Sequence, residues 1–292
     1  MTDASEATCL VDCKALLGEG PVWVERERAL YWVDIKGRML FRYDWESGSH
    51  SSWPTPFRVG SIAPRRSGGF VAGTDQGIAA VDPARNLYEI IADPEPDRPT
   101  NRFNDGKVDR NGRFWAGTMD DREELAQGAL YRFDPDLSWR RLDDGYRVTN
   151  GPAFSPDGHS MYHNDSARRI IYAFDLDEQG NPSERRIFAQ FGEDGGSPDG
   201  MTVDAEGCLW VAFWDGWCVR RFSPSGACIG ELSVPVQRPT SCAFGGPGLD
   251  HLFITSARTG LDAQALAGQP QAGGLFMVRP GHRGVAEILF AG

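Results

Sequence analysis

Residues 112–115 read Gly112-Arg113-Phe114-Trp115, a turn glycine followed by three residues centred on a bulky side chain. The phrase recurs as Leu30-Tyr31-Trp32, Gly69-Phe70-Val71, Ser160-Met161-Tyr162, Cys208-Leu209-Trp210 and His251-Leu252-Phe253. A second phrase follows each copy: Met39 to Asp44, Gly77 to Asp82, Ala129 to Asp134, Ile170 to Asp175, Cys218 to Ser223 and Gly274 to Arg279. Four of these six end in aspartate, as expected where a strand runs into a turn. Two phrases in fixed order, at a period of roughly 40 to 50 residues, are the mark of a radial stack of short-stranded blades. The pattern predicts an all-β chain: a six-bladed β-propeller of four-stranded antiparallel blades around a central channel, filling 1–292 as one domain.

Two other architectures fit less well. WD-type arrays share the period, but the paired Gly-His and Trp-Asp signature is missing from the repeats. A double-sheet sandwich gives no reason for six ordered copies of both phrases. Helical patterning is confined to Asp121–Gln127 and Asp262–Ala267, both between the two phrases of a repeat and so expected as loop insertions over one face of the disc. Thr8–Lys14 precedes the first repeat and is expected to complete the last blade, which would leave no open edge.

Composition narrows the function. With 41 acidic against 30 basic residues, the formal charge of −11 leaves no basic excess to neutralise phosphates, which argues against nucleic-acid or anionic-membrane partners. No run approaches the ~20 apolar residues of a membrane span, and Met1–Leu17 shows no basic segment before an apolar one. The six cysteines form no C-x-x-C pair and are too sparse for a disulfide scaffold, so free thiols and a cytoplasmic location are expected.

Superposing the repeats singles out one position on the first strand of each blade. Asn104, Asn150 and Asp199 stand four residues before the aligned apolar residues Val108, Phe154 and Val203. Glu19 stands four before Trp23, within one residue of the same register, while Gly60 and Thr240 occupy the place in repeats two and six. First strands line the channel of a propeller, so two carboxylates and two amides should converge at one mouth. Each is followed within two residues by glycine, which allows a tight turn and close backbone approach. Oxygen donors without cysteine or histidine suit a hard cation. None of the five histidines (His50, His159, His163, His251, His282) falls at the mouth, and His163 is expected to be a core or tunnel residue. No Gly-x-Ser-x-Gly elbow, P-loop or dinucleotide fingerprint is present.

Longer stretches add a resemblance. Leu17-Gly18-Glu19-Gly20-Pro21-Val22-Trp23, Asn101-Arg102-Phe103-Asn104-Asp105-Gly106-Lys107, Phe114 to Met119, Thr149-Asn150-Gly151-Pro152 and Ser197-Pro198-Asp199-Gly200-Met201 are similar to segments of the SMP-30/gluconolactonase/regucalcin family. So are Thr240 to Gly246 and Ala272 to Phe276. The resemblance implies a six-bladed propeller that hydrolyses sugar-acid lactones (glucono-, xylono-, arabinono- or galactonolactone) with one divalent cation, whether Ca, Zn, Mn, Mg or Fe(II). It places the metal ligands on Glu19, Asn150 and Asp199, the proton acceptor on Asp199, and substrate contacts on Arg102 and Asn104. After Gly117-Thr118-Met119 the family's sugar-recognising acid falls on Arg122, flanked by Asp121 and Glu123; Asp121 and Arg122 join the candidate substrate-binding residues, and sugar preference does not carry over.

A lactone is an ester whose hydrolysis builds negative charge on the carbonyl oxygen, and a bound cation opposite that charge is apt. Arg102 and Asn104, two residues apart, share a face if their segment is extended. Two further readings stand beside this one: another metal-dependent hydrolase on the same fold, acting on other esters or organophosphates, and a non-enzymatic calcium-binding propeller. The expected partner is a small sugar lactone, with the protein a monomer or weak homo-oligomer.

Overall fold

In the computed structural model, which describes residues 6–292, six four-stranded antiparallel sheets are arranged as a six-bladed β-propeller. Blade one is built from Gly18–Val24, Ala29–Asp34, Met39–Asp44 and His50–Pro54, in that order from the channel outward, and the next four blades repeat the plan. The inner strands of blades two to six are Val59–Pro64, Asn101–Val108, Thr149–Phe154, Ser197–Val203 and Pro239–Gly245.

The recurrent phrase is the second strand of each blade, and its apolar run has a simple cause. Successive side chains of a strand point to opposite faces, and both faces of a blade are covered by neighbours. Tyr31 and Val33 join Ile62, Phe70 and Ala72 of blade two in one cluster, while Leu30 and Trp32 join Phe253 and Leu275 of blade six in another. Outer strands have no such cover, and His50–Pro54 is largely exposed. The ring closes as expected: Thr8–Val11 pairs antiparallel with Leu275–Val278 as the outermost strand of blade six.

Of the two helical candidates only one forms. Ala263–Gly268 is a short α-helix capped by Asp262, whose carboxylate accepts the Ala265 N–H at 2.8 Å. Asp121–Gln127 is not a helix; the Asp120 carboxylate accepts the N–H groups of Glu124 and Leu125, and Glu123 takes a positive φ of 60°. That local bonding competes with helix formation and leaves a turn. Among the described residues all six cysteines are free and no helix is long and apolar enough to cross a membrane.

One irregularity is common to all six inner strands. Each carries a bulge at the same level: between Glu19 and Val22, Val59 and Ser61, Phe103 and Gly106, Asn150 and Ala153, Pro198 and Met201, and Pro239 and Ser241. A bulge places an extra residue against the partner strand and re-aims side chains. Carboxylates at or just beyond the ends of the second strands fasten the incoming chain just before this level. Asp34 accepts the N–H groups of Leu16 and Leu17, Asp165 those of Arg147 and Val148, and Asp75 that of Arg58.

The opposite mouth is crossed by the C-terminal segment, for which the repeats gave no expectation. Gly284 bridges to Asp204 and Phe290 to Arg65, with Phe290 fully buried. Glu287 reaches up the channel to Lys107, at 3.5 Å.

Candidate active site

The bulges bring four of the aligned positions together. Ladder register separates them into two kinds: Glu19 and Asn150 are the last paired residues before their bulges, whereas Asn104 and Asp199 lie within theirs. All four line one cavity of about 450 Å³ on the face where the inner strands begin, together with Arg102 and Asp121. That size lies within the roughly 300–1,000 Å³ range of small-molecule sites. Blades two and six withdraw. A Cβ on Gly60 would lie 2.5 Å from the Asn104 carbonyl oxygen, so no side chain fits there. Thr240 turns its hydroxyl to the Gly18 carbonyl and to Thr255.

Charge at this mouth is poorly compensated by the protein itself. Glu19 is buried and accepts one hydrogen bond, from the Gly20 N–H at 3.0 Å. Burial, followed by the charges of Asp199 and Asp105, holds its carboxyl well above the ordinary range. Asp199 is raised in the same way, by burial and then by Asp105. Asp105 is pushed up by burial to about 6, opposed by Lys107 and by the N–H groups of Gly151 and Gly106, at 2.9 and 2.8 Å. No arginine or lysine pairs with Glu19 or Asp199 among the described residues. Two buried carboxylates that resist ionisation side by side, with an amide oxygen beside them, are the donor set a hard divalent cation would relieve.

The amide donor is held in place by a chain of hydrogen bonds that sequence reasoning did not foresee. Asn150 Nδ2 donates to Ser166 Oγ at 2.8 Å, Ser166 donates to Asn164 Oδ1 at 3.2 Å, and Asn164 Nδ2 donates to the Asp199 carbonyl at 2.8 Å. Asn150 Oδ1 accepts from Asn104 Nδ2 at 2.9 Å and keeps a second lone pair for a cation. Asn104 also donates to the Thr149 carbonyl, at 2.7 Å, so both its amide hydrogens are used within the protein.

Arg102 is buried along one wall, its Nε donating to Asp121 at 2.8 Å and its Nη1 to Asn104 Oδ1 at 2.6 Å. Burial lowers the pKa of its guanidinium, against the opposing charge of Asp121. Burial would raise the Asp121 carboxyl, but hydrogen bonds from Arg58 and the charge of Arg102 outweigh it and hold it low. Arg122, the next residue, is exposed and lies outside the cavity lining. The cavity is also lined by Lys36 and Arg238, on connections with no repeat pattern to announce them, and by Trp214, the last residue of blade five's second strand.

His163 is fully buried away from the cavity, against the Tyr146 ring, with both ring nitrogens unpartnered and burial depressing its pKa to about 3. A second oxygen and sulfur cluster, Asp204, Glu206 and Cys208, lies on the far face. Arg221 pairs with both of its acids, at 2.8 and 2.6 Å, and Asp204 also accepts the Trp210 indole N–H. Both acids are thus engaged by one arginine.

Residues 17–258 match the family described as SMP-30/Gluconolactonase/LRE-like region, and the chain belongs to that family. Among its relatives, a 6-deoxy-6-sulfogluconolactonase of Pseudomonas putida is 40% identical over 285 residues, covering 97% of this chain and 98% of that protein. An L-arabinolactonase of Azospirillum brasilense is 39% identical over 293 residues, covering 99% and 97%. The crystal structure of a calcium-binding protein, regucalcin, from Agrobacterium tumefaciens superposes with a TM-score of 0.93 at 30% identity, covering 98% and 97%.

Proposed function

We propose that this protein is a lactonase that opens sugar-acid lactones to aldonic acids with the help of one divalent cation. The observation that carries the reading is the pair of buried, uncompensated carboxylates, Glu19 and Asp199, set beside Asn150 at the floor of a cavity with a polar wall. The names of the relatives supply the substrate class: lactones of a sulfonated hexonic acid in one case and of arabinonic acid in another.

Glu19, Asn150 and Asp199 would hold the cation. Bound there, it would supply positive charge to the lactone carbonyl oxygen, where negative charge develops. The chain's own residues do the rest. The Asp199 carboxylate takes a proton from the attacking water as the water oxygen bonds to the carbonyl carbon. The bond from that carbon to the ring oxygen then breaks, and Asp199 returns the proton to the departing alkoxide. The product is the open-chain acid, which ionises at neutral pH. Arg102 and Asp121 offer a donor and an acceptor to the sugar hydroxyls and so fix the ring against Asp199.

A substrate panel tests this. Gluconolactone and arabinonolactone should be hydrolysed orders of magnitude faster than aryl esters, homoserine-type lactones or organophosphates. The second reading, a cation-binding propeller without turnover, draws on the superposed regucalcin, which is described as a calcium-binding protein. Tight cation binding with no rate above the spontaneous hydrolysis of any lactone would favour it.

A further inference from the structure

Blade two gives no donor to the channel mouth, yet it reaches the cavity by another route. Arg58 lies two residues before the bare Gly60, on the connection from blade one. Asp75, beyond the end of blade two's second strand, holds it at two points, accepting its backbone N–H at 3.1 Å and its Nε at 2.9 Å. So fastened, Arg58 extends Nη1 across to blade three and donates to both Asp121 oxygens, at 3.0 and 2.9 Å. Asp121 Oδ1 also accepts from Arg102 Nε at 2.8 Å. The result is an alternating row, Asp75, Arg58, Asp121, Arg102, in which two acids and two bases balance. Arg58 itself does not line the cavity; Asp121 and Arg102 do.

The geometry points to Arg58 as a positioning residue for substrate recognition, one that fixes Asp121 so that its Oδ2 can accept a hydroxyl of the bound sugar lactone. Oδ2 accepts a single hydrogen bond from the protein, whereas Oδ1 accepts two. An ionised carboxylate oxygen has room for two, so the vacant acceptor lies on the atom that Arg58 alone holds. Without Arg58, Asp121 would keep one partner and could swing into a two-pronged pair with Arg102, whose planar fork favours that geometry. That swing would remove the acceptor and pull the Arg102 guanidinium off Asn104 together. The device therefore selects polyhydroxylated lactones over bare ones. The inference rests on the lactonase reading and adds to it the feature of the substrate that is recognised.

The test is steady-state kinetics of the cation-loaded full chain on gluconolactone and on δ-valerolactone, the same ring without hydroxyls, followed as substrate or as competitive inhibitor. Arg58→Ala should raise KM for gluconolactone by about tenfold, the scale of one lost charge-assisted hydrogen bond, with a far smaller change in kcat. Its KM or Ki for δ-valerolactone, its cation content and its Tm should stay near wild type. Arg58→Lys should recover part of the loss. Arg58→Ala combined with Asp121→Asn should be no worse than Asp121→Asn alone, because one acts through the other. Equal losses on both lactones, or additive losses in the double variant, would overturn the inference while leaving the lactonase reading intact. Wild-type protein inactive on gluconolactone would instead remove that reading, and the inference with it.

Discussion

Replacing Asp199 by asparagine separates two tasks that one side chain is proposed to perform. The amide keeps an oxygen for the cation but cannot accept a proton from water. A positioned general base is worth ~10²- to 10⁴-fold in rate, or about 3–5 kcal/mol of barrier. The cation, by contrast, should be retained at saturating concentration, for a reason visible in the electrostatics. After burial, the charge of Asp199 is the largest influence raising the Glu19 carboxyl. Removing that charge lets Glu19 ionise more readily and offsets part of the charge lost to the site. We therefore expect Asp199→Asn, reloaded and checked for cation content, to show kcat for gluconolactone reduced by at least about 100-fold. Asp199→Ala should lose the cation as well. The other acids near the site are poor substitutes: Asp121 is clamped by two arginines and held low, and Asp105 is tied to two backbone N–H groups below the cavity. Recovery of most activity by Asp199→Asn in excess cation would refute the assignment and leave Asp199 as a ligand only.

Three further outcomes are expected. Glu19→Gln should weaken cation binding at least about tenfold by calorimetry, since one of two ligand charges is lost, while the cation-free protein keeps or gains Tm because a strained buried acid is gone. Arg102→Ala should act mainly on KM, by about 10- to 100-fold for loss of charged hydrogen bonds to the substrate; a loss confined to kcat would show that Arg102 faces the reacting oxygen instead. Glu19 and Asp199 both have raised carboxyls in the cation-free fold, so they favour the native state below their unfolded pKa values and lose that contribution as pH rises through the folded ones. The Tm gained on adding a divalent cation should accordingly be larger at about pH 8 than at about pH 5.5, and a pH-independent gain by scanning calorimetry would contradict the raised values.

What the sequence revealed, and what it hid, divides along physical lines. Second strands such as Leu30-Tyr31-Trp32 and Arg113-Phe114-Trp115 were conspicuous because both faces of every blade are buried, which forces an apolar run at each repeat. The two carboxylates and two amides of the mouth were legible because a bulge recurs at one level of every inner strand, holding the donors near a constant distance from the apolar run. Arg58, Lys36 and Arg238 escaped notice because they sit on connections, where an arginine or lysine reads as an ordinary solvated charge. Asp121–Gln127 resembled a first helical turn through its acids, yet the preceding Asp120 captured the N–H groups such a helix would need. The C-terminal crossing belongs to no repeat, so nothing periodic could announce Phe290 as a buried anchor.

The most direct test of the central claim is the rate of gluconolactone hydrolysis by one preparation taken through three states: as purified, stripped by a chelator, and reloaded with single divalent cations. Hydrolysis should fall to the spontaneous rate on stripping and return with at least one of Ca, Zn, Mn, Mg or Fe(II), while the Glu19→Gln protein needs more of that cation to reach the same fraction of its own maximum. Full activity in protein shown by elemental analysis to hold no divalent cation would contradict the account.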